Sequence, residues 1–192
     1  MKNIQEILAL NLPVFNDAYA IASEAHKDQR RKDGKHYMTH IEAVVEGTYE
    51  LLYEKYIPKY LDSDIEKTIS DRASHASVSS YLIVAALHDV FEDRPSYNVD
   101  AIVDGFEDHW PEGYYYMLEE IKDALHKISK KEFGFATYEK YSEYVERVKR
   151  NKLSRRVKRS DLIHNMSDLN PGNMYDKYEL TLAVLTAETF DY

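Results

Sequence analysis

The sequence predicts an all-α protein, and three observations carry that expectation. Only 6 Gly and 5 Pro punctuate 192 residues, so long stretches lack the residues that break helices. Apolar residues recur mostly at three- and four-residue spacing, the period of an amphipathic helix. No stretch sustains the two-residue alternation of a half-buried strand. With no internal repeat and no linker-like composition, the chain reads as one domain over residues 1–192, a bundle of about eight to ten helices.

Each element has its own signal. Ala18, Ile21, Ala22 and Ala25 line one face of a first helix that ends near the charged stretch 27–35, where Asp33-Gly34 reads as a turn. Thr39 is expected to cap a second helix through Ile41, Val44, Val45 and Leu51 to Tyr56, with Glu42 as its capping-box partner. Pro58 interrupts it, and the polar stretch 58–77 reads as a variable insert. A third helix, Ser77 to Phe91, carries Val84, Leu87 and Phe91 on one face and is expected to be central. Asn98 or Asp100 starts a short helix to Phe106, Pro111 opens another over 112–129, and Gly134 separates that one from 137–150. The stretch 152–169 has Leu153, Val157, Leu162, Met166 and Leu169 as an apolar stripe. Pro171-Gly172 stops it, and 174–189 makes the last helix.

Composition narrows the function classes. With 25 Lys+Arg against 34 Asp+Glu the net charge is −9, which counts against a nucleic-acid partner, since phosphate neutralisation needs a cationic surface. The absence of cysteine excludes disulfides, thiolate zinc sites and a cysteine nucleophile together. The most apolar run, Leu82 to Leu87, is too short to span a bilayer, and residues 1–6 do not read as a signal peptide. A soluble, cytoplasmic protein with no membrane partner is the expectation. The 17 tyrosines, Tyr114 to Tyr116 among them, fit half-buried helical positions better than an aromatic recognition surface.

Three segments concentrate ionisable chemistry. AALHDVFED (85–93) crowds His88, Asp89, Glu92 and Asp93 at the end of the central helix. Like charges this close repel, and the group reads either as a solvated acidic helix end or as a site whose repulsion a cation compensates. QRRKDGKHYMTH (29–40) sets Arg30, Arg31 and Lys32 before a turn and ends on His40 at a helix start. VKRSDLIHNMSDL (157–169) places Lys158, Asp161 and Asn165 on one polar stripe opposite the apolar one. Residues 147–159 hold eight Lys or Arg and no acid, which reads equally as a solvated helix face or as a focusing device for an anionic ligand. His26, His36, His75, His109 and His126 read as surface or packing residues, and His164 as either a packing residue or a ligand neighbour.

Together, AIASEAHKDQRRKDGKHYMTH (20–40), AALHDVFED (85–93) and VKRSDLIHNM (157–166), in that order, resemble the HD-domain alarmone hydrolases. These remove the 3′-pyrophosphate from guanosine tetra- and pentaphosphate in the stringent response. They occur as the hydrolase half of Rel/SpoT factors and as single-domain small alarmone hydrolases. His-Asp alone is shared by the wider HD phosphohydrolase superfamily. The Arg-Lys-Asp-Gly turn, the Glu-Asp pair after His-Asp and the late Lys-x-x-Asp-x-x-x-Asn are narrower signals.

The resemblance implies a single HD-type helical domain holding one divalent cation, Mn2+, on His40, His88, Asp89 and Asp161. Two imidazoles and two carboxylates also suit such an ion chemically. It implies that Glu92 and Asp93 orient and deprotonate the attacking water, that Arg31 stacks on the purine and Lys32 meets the nucleotide, and that Asn165 contacts ribose or base. Lys158 either supports a phosphate or pairs with a local carboxylate. The implied products are pyrophosphate and GDP or GTP. An adenine alarmone, a nucleoside monophosphate or another 3′-phosphorylated nucleotide is the alternative substrate, and a nucleotide sensor without turnover the alternative function. The chain departs from the family pattern at Ile41, where relatives carry proline, at Ser167 and Asp168, where many carry arginine and threonine, and in its longer polar stretch before the third helix. With no synthetase domain following, alarmone synthesis is not expected.

Overall fold

The structure, a computed structural model, describes residues 2–56, 72–130 and 139–187. Among these residues there are helices and no strand, as the apolar spacing predicts. In chain order they are α1 (Ile4–Leu8), α2 (Pro13–Ala25), α3 (Met38–Tyr56), α4 (Arg72–Leu87), α5 (Val90–Asp93), α6 (Val99–Asp104), a 3-10 turn (Glu107–His109), α7 (Tyr116–Ile128), α8 (Tyr141–Lys149), α9 (Lys152–Ser167) and α10 (Asn173–Thr186).

Burial explains the arrangement. Leu82 through Leu87 are all fully buried, so the C-terminal part of α4 is apolar on every side and has to be enclosed. Helices α2, α3, α7 and α9 pack around it. A smaller cluster of Tyr144, Val145, Val148, Leu162 and Leu185 joins α8, α9 and α10. Helices α3 and α9 pack against each other at Gly47, where a Cβ would sit 3.4 Å from the Ser160 side chain. Thr48 Oγ1 donates to Ser160 Oγ at 3.2 Å across the same contact.

Several boundaries differ from the sequence expectation. Helix α1 is additional; five residues are too few to show a period, yet Asn3 and Glu6 form a complete capping box. Helix α3 starts at Met38, so Thr39 lies inside it and donates to the His36 carbonyl, while Glu42 accepts from the Tyr19 hydroxyl rather than closing a capping box. Helix α4 starts at Arg72 and stops at Leu87, and a turn at His88-Asp89 separates it from α5. Residues 58–71 of the expected insert, and Gly134, lie outside the described residues, and the insert's remaining residues 72–77 belong to α4. Helix α7 begins at Tyr116 rather than after Pro111, because Pro111–Tyr114 closes a turn whose Tyr114 carbonyl accepts from the Trp110 indole at 2.9 Å.

Two local devices fix the frame under α9. Asn151 caps it, its side-chain oxygen accepting from Leu153 N at 2.8 Å and Ser154 N at 3.0 Å, while its amide donates to Asp123 at 2.8 Å. Arg147 closes the end of α7 by donating to the carbonyls of His126, Lys127 and Ser129 and pairing with Glu139. Among the described residues, no helix is long and apolar enough to cross a membrane.

Candidate metal centre

Four side chains from three separate parts of the chain meet beside the core. His40 comes from the first turn of α3, His88 and Asp89 from the turn after α4, and Asp161 from the middle of α9. His40 Nε2 lies 3.2 Å from Asp161 Oδ1 and 3.4 Å from Asp89 Oδ2. His88 Nε2 lies 3.1 Å from Asp89 Oδ2 and 3.8 Å from Asp161 Oδ1. Candidate ligand atoms of His40, His88 and Asp161 all fall within 4.8 Å of one another, and all three residues are buried, so this group could hold a metal ion. Asp89 stands at its edge, its Oδ2 facing both imidazoles.

The fit to a cation rests on His88. Its Nδ1 is 2.8 Å from the Ala85 carbonyl, which can only accept, so Nδ1 carries a proton. Its Nε2 is buried and faces the two carboxylates at 3.1 and 3.8 Å, the nitrogen that would offer its lone pair to a cation taking the place of its proton.

The electrostatics show the same demand for positive charge. Burial opposes charge on His88, but the Asp89 and Asp161 carboxylates and the Ala85 carbonyl together outweigh it and raise His88 to about 9. Burial would likewise raise Asp89, yet His88 and His40 hold it well below the usual carboxylate range. Asp161 is also held low against burial, first by Lys158 and then by His40. Lys158 Nζ is 2.6 Å from Asp161 Oδ2 and keeps its proton through that carboxylate despite burial. Of the two readings for Lys158, the carboxylate pair is the one observed.

The turn before α3 delivers its residues as the Asp33-Gly34 pair predicts. Gly34 has φ +86°, a left-handed conformation natural to glycine, and an isolated antiparallel bridge joins Arg30 to His36. Arg31 reaches α9, with Nη2 2.8 Å from Asp168 Oδ2 and 3.5 Å from Asn165 Oδ1. Asn165 Nδ2 in turn donates to Asp161 Oδ1 at 2.6 Å. Lys32 is exposed. Glu92 and Asp93, at the end of α5, are held by other groups: Glu92 accepts from Lys130 N at 2.7 Å and lies 3.3 Å from Lys130 Nζ, and Asp93 accepts from Gln29 Nε2 at 2.7 Å.

Tyr37 belongs to the centre although sequence spacing assigns it nothing. Its hydroxyl donates to Asp89 Oδ2 at 2.7 Å, and burial, then Asp89, push its ionisation far above the ordinary tyrosine value. Its ring stacks on His26 at 4.7 Å and meets His40 edge-on at 5.6 Å. His26 is fully buried, a packing residue as expected, and burial lowers its pKa. His109 and His126 sit on the surface opposite Asp17 and Asp100. His164 meets His40, Nδ1 to Nδ1, at 2.8 Å.

Much of the basic run is committed locally. Arg147 holds carbonyls, Lys152 pairs with Glu120 at 3.2 Å, Arg156 lies over the Tyr81 ring at 4.9 Å and Lys158 pairs with Asp161. A cavity of about 310 Å³ is lined by Lys130, Lys158 and Lys177 and by the acid Glu139, with Tyr141, Tyr144 and Tyr178. Compared with protein-family models and with curated proteins, the chain matches none.

Proposed function

We propose that this protein is a metal-dependent phosphohydrolase that removes the 3′-pyrophosphate from guanosine tetra- or pentaphosphate, the activity its resemblance to HD-domain alarmone hydrolases implies. The observation that carries the reading is the meeting of His40, His88, Asp89 and Asp161, which the family pattern expects on one cation and which come from distant segments. When bound, a divalent cation, manganese in this reading, supplies a Lewis acid that offsets phosphate charge and acidifies water.

The chain's own residues divide the remaining work. Phosphoryl transfer needs positioning and charge stabilisation more than a side-chain nucleophile, which suits a protein without cysteine. Glu92, its carboxylate oriented by Lys130, takes the proton of the attacking water, and Asp93, oriented by Gln29, positions that water. Arg31 and Lys32 meet the nucleotide, and Asn165 links Arg31 to Asp161 so that nucleotide and cation sites are mechanically joined. Lys158 serves Asp161, and in the neighbouring cavity, which Glu139 also lines, Lys177 supplies a cation that favours an anionic ligand.

One observation favours a second reading. Asp168 already neutralises Arg31, which lowers the advantage of a polyphosphate and suits a less charged nucleotide such as a nucleoside monophosphate. A product assay separates the two. Incubation of guanosine tetraphosphate with the protein and Mn2+ should release pyrophosphate and GDP, and chelation should stop it. Release of inorganic phosphate from nucleoside monophosphates would select the second reading, and binding without turnover of either substrate would make the protein a sensor.

A further inference from the structure

We propose that His164 is a positioning residue for the metal centre: it accepts a hydrogen bond from His40 and thereby fixes which His40 nitrogen faces the cation. The inference rests on the metal reading above and extends it to a residue outside the ligand set.

The geometry leaves few choices of proton placement. His40 Nδ1 and His164 Nδ1 are 2.8 Å apart, so one of them donates and the other accepts. His40 Nε2 points at Asp161 Oδ1 and Asp89 Oδ2, at 3.2 and 3.4 Å, and is the atom a cation among those oxygens would meet. A neutral imidazole offers a lone pair on one nitrogen only if its proton sits on the other. Ligation through Nε2 therefore requires a proton on His40 Nδ1, and His164 Nδ1 is the acceptor that holds it there. His164 then carries its own proton on Nε2.

The same solution appears at His88 by different means, since its Nδ1 is held by the Ala85 carbonyl. Both imidazoles are thus presented through Nε2, one by backbone and one by His164. Position matters too: His164 lies three residues after Asp161 on α9, so one helix face carries both a carboxylate ligand and the acceptor that orients a ligand on α3. The rings cross at 48° with centroids 4.9 Å apart, a tilted approach rather than a parallel stack.

Calorimetric titration of the full chain with MnCl2 tests the proposal. His164→Leu removes the acceptor and should weaken Mn2+ binding between about 10- and 100-fold, the usual effect of losing an outer partner of a metal-bound histidine. His164→Asn returns an acceptor oxygen near the place of Nδ1 and should recover most of the parent affinity, which a purely packing role would not produce. Both variants should keep the parent's helical circular dichroism. Tight binding to the parent with undiminished binding to His164→Leu, or weakening in Leu and Asn variants alike, would overturn this inference alone. Failure of the parent itself to bind Mn2+ would overturn the metal reading and this inference with it.

Discussion

Lys158 Nζ lies 2.6 Å from Asp161 Oδ2, which leaves Oδ1 as the oxygen that faces His40 at 3.2 Å. One carboxylate is thereby divided between a fixed ammonium and the candidate metal centre. Removing the ammonium leaves a buried charge with only partial compensation, a change that typically costs about 3–5 kcal/mol. Lys158→Met should lower the melting temperature clearly, and added Mn2+ should recover part of the loss by supplying positive charge at the same carboxylate. A melt insensitive to both the substitution and the ion would contradict this division of Asp161.

Asp89 is the ligand candidate nearest the edge of the centre, with side-chain exposure of 21% against 4% for Asp161. Asp89→Ala should abolish metal-dependent hydrolysis and leave the helical circular dichroism near that of the parent. Tyr37→Phe removes only the 2.7 Å hydrogen bond to Asp89. A bond to a charged group contributes about 1.5–3 kcal/mol, a factor of roughly 10–150, which is the most that metal affinity should fall if the bond holds Asp89 in its metal-binding orientation. Equal affinity in parent and Tyr37→Phe would remove the tyrosine from the centre.

Glu92→Gln should spare Mn2+ binding and slow hydrolysis by about 10²–10⁴-fold, the range for loss of a general base. Turnover at the parent rate would take Glu92 out of that role.

The pairing of Arg31 with Asp168 gives a prediction in two directions. Arg31→Ala should raise KM for an anionic nucleotide while largely preserving kcat. Asp168→Asn frees the guanidinium and should lower KM for the same nucleotide. Steady-state kinetics on both variants decides, and a collapsed kcat with unchanged KM in Arg31→Ala would count against nucleotide contact.

Stability of the α9 frame has its own test. Asn151→Ala removes the acceptor for Leu153 N and Ser154 N and should cost about 1–2 kcal/mol in urea unfolding. No measurable change would show that the cap does not support the helix that carries Asp161.

Much of this was legible in the sequence because it is local. Helical spacing predicts α2, α3, α4 and α9, and the i, i+3, i+7 stripe of Lys158, Asp161 and Asn165 predicts that they share a face; the structure joins the last two at 2.6 Å. What could not be read is either too short or too distant. Five-residue α1 has no period to detect, and the break at His88-Asp89 interrupts a pattern whose apolar spacing runs on to Phe91. The contacts of Tyr37 with Asp89, 52 residues away, and of His40 with His164, 124 residues away, depend on how helices pack rather than on any neighbour in sequence. His164 did leave one trace, its place beside Asn165, which left it open as a ligand neighbour. Asp168 stood out only as a departure from the family pattern, and its partner Arg31 emerges from the fold.

The most direct test of the central claim is electron spin-echo envelope modulation of the protein loaded with Mn2+. The account predicts one bound ion per chain with nitrogen modulation from two imidazoles, reduced when His40 or His88 is replaced by glutamine. A bound ion with only water-like proton modulation and no coupled nitrogen would contradict it.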